Sequence, residues 1–215
     1  MLIHPWDAAT GADEWVTFLR QHDFGELVAS GRRRELPVVQ PAHYAFDARD
    51  GGHTVWLHLA RPNPVWPLLA ENPRALFAVT GDYAYVPADW NAAPGGDPAL
   101  GVPTSYYASV QLECTARVID DPDEKADLLN RMLARFETAG TRVPVRPGAE
   151  PDRRLLPAIR GVELTVTGVR AKFKFGGNKD ADHRAAIAGR LAGRDGPGDR
   201  GARHHLLRRT PDATG

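Results

Sequence analysis

The chain has 215 residues, with 27 basic and 27 acidic side chains and a single cysteine. This length suits one domain, or one domain with a small appendage, and a net charge of zero gives no overall attraction to nucleic acid. One cysteine excludes an internal disulfide framework and a thiolate metal site. No stretch reaches the roughly 18 apolar residues of a membrane-spanning helix. The first residues also lack the pattern of a secretory signal, so we expect a cytoplasmic protein.

The first half of the chain predicts a helix followed by several strands. In order, we expect a helix from Thr10, strands at 24–30 and 36–46, a hairpin turn at 50–52, a strand at 54–59, a helix at 65–71 and strand structure at 75–86. Asn63 and Pro64 supply the cap and the first residue of the short helix. Pro41 falls inside the second strand. It indicates a sheet edge, a bulge or a place where something other than a strand docks, because proline cannot donate a ladder hydrogen bond.

The second half contains the clearest strand of the chain. In order, we expect a loop at 87–103, a strand at 106–119, a helix from 122, a loop at 141–151, a turn at 155–159, a strand at 162–175 and a helix at 180–191. Alternate residues from Ala108 to Val118 are apolar, which is typical of a half-buried strand. Gly, Arg, Asp and Pro dominate after the last helix, so we expect one domain at 1–191 and a disordered tail at 192–215. Consecutive strands with few helices favour a mainly β (α+β) antiparallel barrel with peripheral helices.

The segment from His58 to Trp66 is the first candidate site. A strand ends there, Arg61 follows, and a capped helix begins after Asn63. Free backbone N–H groups at a helix start, together with one guanidinium, suit a phosphate group. A surface arginine beside an ordinary helix cap produces the same pattern, so both interpretations stay open.

The segment from Lys172 to Lys179 is the second candidate. Lys172 and Lys174 share one face of a predicted strand, and the two glycines that follow let the backbone approach a ligand or another chain. Two lysines on a solvated face and a glycine turn would also explain it. No set of histidines, carboxylates and thiols has metal-ligand spacing, so we expect no metal site.

Five segments, taken in order, resemble the PaiB family of FMN-binding negative transcriptional regulators. They are FGELVAS, HLARPNPVW, GDYAYVPADW, VPTSYY and GVELTVTGVRAKFKFGGNK. The resemblance runs over residues 1–191 and is most specific in HLARPNPVW. It implies an FMN-binding split β-barrel, related to pyridoxamine-phosphate oxidase, that forms a homodimer with FMN in the crevice between protomers.

The resemblance also implies roles for individual residues. Arg61 and Asn63 would hold the FMN phosphate, and His58 and Ala60 would line the same end. Trp66 belongs to the same matched segment. The residues implied near the flavin ring or the dimer seam are Gln40, Lys172 and Lys174.

The chain departs from the family at the ring end. Gln40 and Pro41 stand where the family has Thr and His, and Ser105 and Tyr106 stand where it has Trp and Asn. The implied phosphate end is therefore kept while the ring end is rebuilt. The pocket could hold FMN with a larger opening, or instead heme, another flavin-like ligand or no cofactor.

Three functions stay open at this point. The resemblance implies an FMN-binding transcriptional regulator. The rebuilt ring end favours a flavin-dependent oxidoreductase, or another small-molecule enzyme that uses the same crevice, and a non-catalytic carrier is the third. The sequence shows no helix-turn-helix pair and no basic stripe, so DNA binding rests on the resemblance alone.

Overall fold

The computed structural model describes residues 1–32, 34–49, 51–93 and 95–209. Seven strands form one sheet in the order β2-β1-β5-β6-β7-β4-β3. Their bounds are β1 Phe24–Ala29, β2 Val38–His43, β3 Ala45–Arg49, β4 Gly52–Ala60, β5 Arg74–Val86, β6 Thr104–Ile119 and β7 Ile159–Lys174. The helices are α1 Ala12–Gln21, α2 Val65–Glu71, α3 Ala88–Asn91, α4 Pro122–Phe136, α5 Asp152–Leu155, α6 Ala181–Arg194 and α7 Asp199–Arg208. No helix in these described ranges is both long and apolar enough to cross a membrane.

The chain divides into two compact units. Unit 1 comprises residues 1–15, 80–110 and 170–215, and unit 2 comprises residues 16–79 and 111–169. The three long strands β5, β6 and β7 contribute residues to both units, whereas β1 to β4 lie wholly in unit 2.

The predicted strand at 36–46 is two strands, β2 and β3, that separate at Tyr44. β2 pairs antiparallel with β1, whereas β3 pairs antiparallel with β4, so the chain must change partners between them. Tyr44 fixes this change, because its buried hydroxyl donates to the Leu19 carbonyl at 2.9 Å. β2 is an edge strand, which confirms the position inferred from Pro41. Asp50 of the predicted hairpin turn lies outside the described residues, and the β3–β4 pairing resumes at Gly52.

The alternation predicted for 106–119 holds through the middle of β6. Ala108, Val110, Leu112 and Cys114 are fully buried. Burial raises the pKa of the Cys114 thiol to about 12, which leaves it protonated and unreactive at neutral pH. The pattern fails at the carboxyl end, where Val118 is exposed and Ile119 is buried. Ile119 instead packs in a cluster with Ala45, Leu128 and Met132.

The predicted tail and the predicted long loop both contain helical structure. α7 lies within residues 192–215, and its buried residues include Ala202 and Leu206; residues 210–215 lie outside the described ranges. Only Asp195 to Gly198 separate α6 from α7, so the predicted helix at 180–191 is followed by a second helix that the sequence did not reveal. α3 and a 3-10 turn at Pro98–Leu100 interrupt the loop at 87–103, of which Pro94 is not described.

Candidate functional site

The turn between β4 and α2 in unit 2 carries most of the residues expected to hold a phosphate. Asn63 Oδ1 accepts from the Val65 N–H at 3.0 Å, and the Trp66 N–H donates to the Asn63 carbonyl at 3.4 Å. The next residue, Pro67, has no N–H. The helix start therefore offers no free donor at these three positions. Asn63 and Pro67 therefore leave a phosphate no backbone N–H at these positions, and the anion site inferred from the sequence stays a prediction that rests on the side chains.

The Arg61 guanidinium lies in an ion cluster rather than open to a ligand. Both of its Nη atoms donate to the Asp120 carboxylate, with Nη1 donating to Oδ2 at 3.1 Å. Its Nε donates to the Pro157 carbonyl at 2.6 Å. Arg160 and Lys125 also lie within 4 Å of Asp120. The hydrogen bonds from Arg61 lower the pKa of the Asp120 carboxyl. Three cations surround one carboxylate, so the cluster is net positive, but an anion must compete with Asp120 for Arg61.

The remaining residues of this segment act in packing and positioning. Asn63 Nδ2 donates to Gln40 Oε1 at 2.8 Å, which ties β2 to the helix cap. The buried indole of Trp66 donates to the Ala60 carbonyl at 2.9 Å. His58 lines a different, apolar cavity, which is described below. The structure thus brings Gln40, Ala60, Asn63 and Trp66 together as one hydrogen-bonded turn.

Lys172 and Lys174 belong to unit 1, on the part of β7 that follows residue 169. They alternate with Phe173, which is fully buried, but Lys172 is buried as well, so burial does not separate the two faces predicted for this strand. Lys172 Nζ donates to the Leu2 carbonyl at 2.9 Å and lies 5.6 Å from the centre of the Tyr107 ring. Lys174 Nζ donates to Thr104 Oγ1 at 2.8 Å. Lys172 is therefore held among protein groups, whereas Lys174 opens onto a cavity.

This cavity in unit 1 has a volume of about 260 Å³ and a mostly polar wall. His4 and Trp6 stack at one side, with ring centres 4.7 Å apart and planes 8° from parallel. Lys174 and Lys179 supply two cations. The other lining residues include Asp7, Asn91, Thr104, Tyr106, Gly176 and Asn178.

Two buried polar atoms on residues that line this cavity have no hydrogen-bond partner among the described residues. They are the Tyr106 hydroxyl and Asn91 Oδ1. A buried polar group without a partner is costly, so such atoms mark places where a ligand or water belongs. Burial raises the pKa of Tyr106 to about 12, which keeps its hydroxyl protonated and able to donate.

The two glycines flagged in the sequence shape the same wall. Gly176 has φ +66°, and a Cβ there would come within 2.5 Å of the Tyr106 hydroxyl. A Cβ on Gly177 would lie 2.2 Å from the Trp6 carbonyl oxygen. The backbone can approach both groups only because these residues lack side chains.

Asp7 is the one carboxylate lining this cavity among the described residues, and it is almost completely buried. Burial raises its pKa, and the nearby charges of Lys172, His4 and Lys174 act in the opposite direction. The cations Lys174 and Lys179 therefore outnumber the carboxylate, and the wall favours a ligand with negative or polar groups.

Sequence reasoning missed His4, Asp7, Asn91 and Thr104. They come from the first residues and from the 87–103 loop, and only the fold brings them beside β7. The unusual length of that loop was the available signal, since long loops in compact domains are often functional. Within the described ranges, no three histidines, cysteines or carboxylates are grouped to hold a metal ion.

Comparisons with known proteins identify the family and the fold of this chain. A family model described as "Putative FMN-binding domain" matches residues 1–168. No curated protein matches the chain. Among solved structures, the chain is similar to the flavocytochrome Anf3 from Azotobacter vinelandii, with a TM-score of 0.60, 19% identity, and coverage of 84% of this chain and 75% of that one. It is also similar to the FAD and heme binding protein from Mycobacterium smegmatis, with a TM-score of 0.57, 22% identity, and coverage of 85% and 80%. The likeness shows a shared fold, and the predicted α+β split-barrel class is confirmed.

Proposed function

This chain belongs to the FMN-binding domain family, and we propose that it is a flavoprotein oxidoreductase that holds the polar end of FMN in the unit 1 cavity. The unpartnered Tyr106 hydroxyl carries this proposal, because it is a buried donor in the wall of a cavity lined by two lysines. The alternative site for the phosphate, the turn at Arg61 and Asn63, has its donors already engaged.

The residues of the cavity fit one end of FMN. Lys174 and Lys179 provide charge for the phosphate or for the polar edge of the ring, and Tyr106 provides a neutral donor. The volume of about 260 Å³ is below the 300 Å³ or so typical of sites that enclose a drug-sized ligand, so the cavity suits one end of the cofactor. The stacked His4 and Trp6 rings form an aromatic side wall.

The bound flavin would supply hydride or single-electron transfer. The protein's own contribution is positioning and charge. Lys174 is itself oriented by Thr104, so its ammonium group is fixed before any ligand arrives. Tyr106 stays protonated through the physiological range, so it donates a hydrogen bond and does not act as a base near neutral pH.

A pair of alanine variants tests where the phosphate binds. We expect Lys174→Ala to weaken FMN binding by about 10- to 100-fold, the usual effect of losing a charge-assisted hydrogen bond. Arg61→Ala is the matched control, since it also removes one cation, and it should retain FMN within about twofold. The measurement is a fluorescence titration of the apoprotein with FMN, after mass spectrometry has identified the cofactor released from the purified protein. Loss of FMN from Arg61→Ala alone would move the phosphate to the Asp120 cluster.

A PaiB-like regulator is the second candidate, and the α6–α7 pair favours it. α7 follows α6 after four residues, and its exposed residues recur at helical spacing along one side. Arg200, Arg203 and His204 are among them, whereas the exposed Arg208 is already paired with Glu14. A basic second helix after a short turn resembles the arrangement by which paired helices bind DNA.

This second candidate is tested by the salt dependence of DNA binding. A gel-shift series between 50 and 200 mM salt, in round numbers, should show affinity falling steeply if α7 contacts phosphates. Arg203→Ala should then reduce the slope of log affinity against log salt by about 1, whereas exposed Arg32→Ala in unit 2 should leave it unchanged. Absence of a shift at the lowest salt would remove direct DNA binding from consideration.

A further inference from the structure

A second cavity lies entirely within unit 2 and differs in character from the one described above. Its volume is about 320 Å³. α4 contributes Leu129, Met132, Leu133 and Phe136 to its lining, and the other apolar lining residues include Leu156 and Ile159. A cavity of this size and lining is typical of a site for a small, mainly apolar molecule.

Two of the three charged residues on its wall, Arg142 and Asp152, pair with each other. Arg142 forms an ion pair with Asp152 and donates to the Val143 carbonyl at 2.8 Å. Asp152 also accepts from the Arg146 N–H at 3.0 Å. The pair adds no net charge, and the remaining charged lining residue, Glu137, is acidic. The wall therefore disfavours an anion, which separates this cavity from a phosphate site.

His58 and His43 supply the polar groups between the apolar walls. Their ring centres are 5.3 Å apart, and the His43 ring lies edge-on to Phe136 at the same distance. His58 Nδ1 lies 3.4 Å from the Met132 sulfur, which is a weak partner. Burial lowers the pKa of His58, and the neighbouring His43 lowers it further, so the ring is neutral at physiological pH.

We propose that this unit 2 cavity binds an uncharged, mainly apolar small molecule that forms one hydrogen bond with His58. The apolar walls provide most of the binding surface, and neutral His58 can donate or accept according to its tautomer. Because the cavity is described wholly within unit 2, the proposal does not depend on FMN binding in unit 1.

The first test uses N-phenyl-1-naphthylamine, an uncharged fluorophore that brightens in apolar surroundings, with the purified full-length protein. We expect one saturable site per chain. Leu129→Trp should fill the cavity from α4 and weaken binding at least tenfold, while Leu207→Trp, the same change on the exposed side of α7, should leave binding unchanged. Equal binding by the protein and both variants would overturn the proposal.

A second measurement decides the matter if Leu129→Trp does not fold. 1-Naphthol and 1-methylnaphthalene have similar shapes, but only the naphthol has a hydroxyl. We expect 1-naphthol to displace the fluorophore about three- to tenfold more effectively, the range for one neutral hydrogen bond. His58→Phe should abolish this preference while keeping the fluorophore bound. Persistence of the preference in His58→Phe, or its absence in the unaltered protein, would overturn the assigned role of His58.

Discussion

Two buried tyrosine hydroxyls in this chain have opposite surroundings. The Tyr44 hydroxyl donates to a backbone carbonyl at 2.9 Å, whereas the Tyr106 hydroxyl has no partner among the described residues. Both side chains are almost completely buried. Removing the hydroxyl therefore changes a satisfied group in one case and an unsatisfied group in the other, which makes the two residues a matched pair.

We expect Tyr106→Phe to leave the stability of the apoprotein unchanged or raise it by up to about 1 kcal/mol, because no hydrogen bond is lost. The same change should weaken FMN binding by about three- to tenfold. Tyr44→Phe should instead destabilise the protein by about 1 kcal/mol by leaving the Leu19 carbonyl unpaired. Thermal unfolding of the apoproteins and FMN titration measure both effects. A clear loss of apoprotein stability in Tyr106→Phe would show that its hydroxyl is satisfied without a ligand.

At the scale of elements, α7 is held by side-chain hydrogen bonds and ion pairs as well as by apolar burial. Asp199 at its first turn receives two hydrogen bonds from Arg194, at 2.7 and 2.5 Å, and one from the Gly196 N–H at 2.9 Å. Near the other end, His205 lies 2.7 Å from Asp82, and Arg208 binds Glu14 at 2.6 Å. These contacts join the helix to residues far away in the sequence.

The contrast between local signals and such long-range contacts explains which elements the sequence could predict. β1, α2 and most of β6 depend on local caps, turns and alternation, and they appear where predicted. α7 has few apolar residues, and its partners Asp82 and Glu14 lie more than 100 residues away, so composition alone indicated disorder. The site divides in the same way. Lys174 was identifiable from a local motif, whereas Asn91 enters the cavity wall only through the fold.

The Asp199 pairing predicts an acid-dependent loss of stability at the α6–α7 turn. The hydrogen bonds from Arg194 are the main cause that lowers the pKa of Asp199 below its ordinary 3.8. A carboxyl whose pKa is lower in the folded protein than in the unfolded protein contributes stability. That stability is fully present above the unfolded-state pKa and is lost as the pH falls through the folded-state pKa. We therefore expect this contribution to begin to fall below about pH 4 and to be lost completely only below the lowered pKa of the folded protein. Asp199→Asn should lower the free energy of unfolding by about 1–3 kcal/mol at pH 7. The stability of this variant, measured by thermal unfolding, should also fall less steeply than that of the unaltered protein as the pH drops below about 4. An equally steep fall in both proteins would contradict the role assigned to Asp199.

At the scale of the whole molecule, exposed apolar side chains in unit 1 support the homodimer that the family resemblance implies. Tyr83 and Tyr85 on β5 are about half exposed, and Leu100 and Val102 in the following loop are 80% and 71% exposed. We propose that these four side chains belong to an interface with a second copy of the chain, since a contiguous patch of exposed apolar groups is typical of an interaction surface. Light scattering should give twice the chain mass of 23.5 kDa, and Leu100→Glu with Val102→Glu should give the single mass.

Val143→Glu, at an equally exposed position in unit 2, should leave the dimer intact, because it places the same charge away from the proposed surface. A single-chain mass for the unaltered protein at micromolar concentration would refute the dimer, and a dimer that persists in the double variant would move the interface elsewhere.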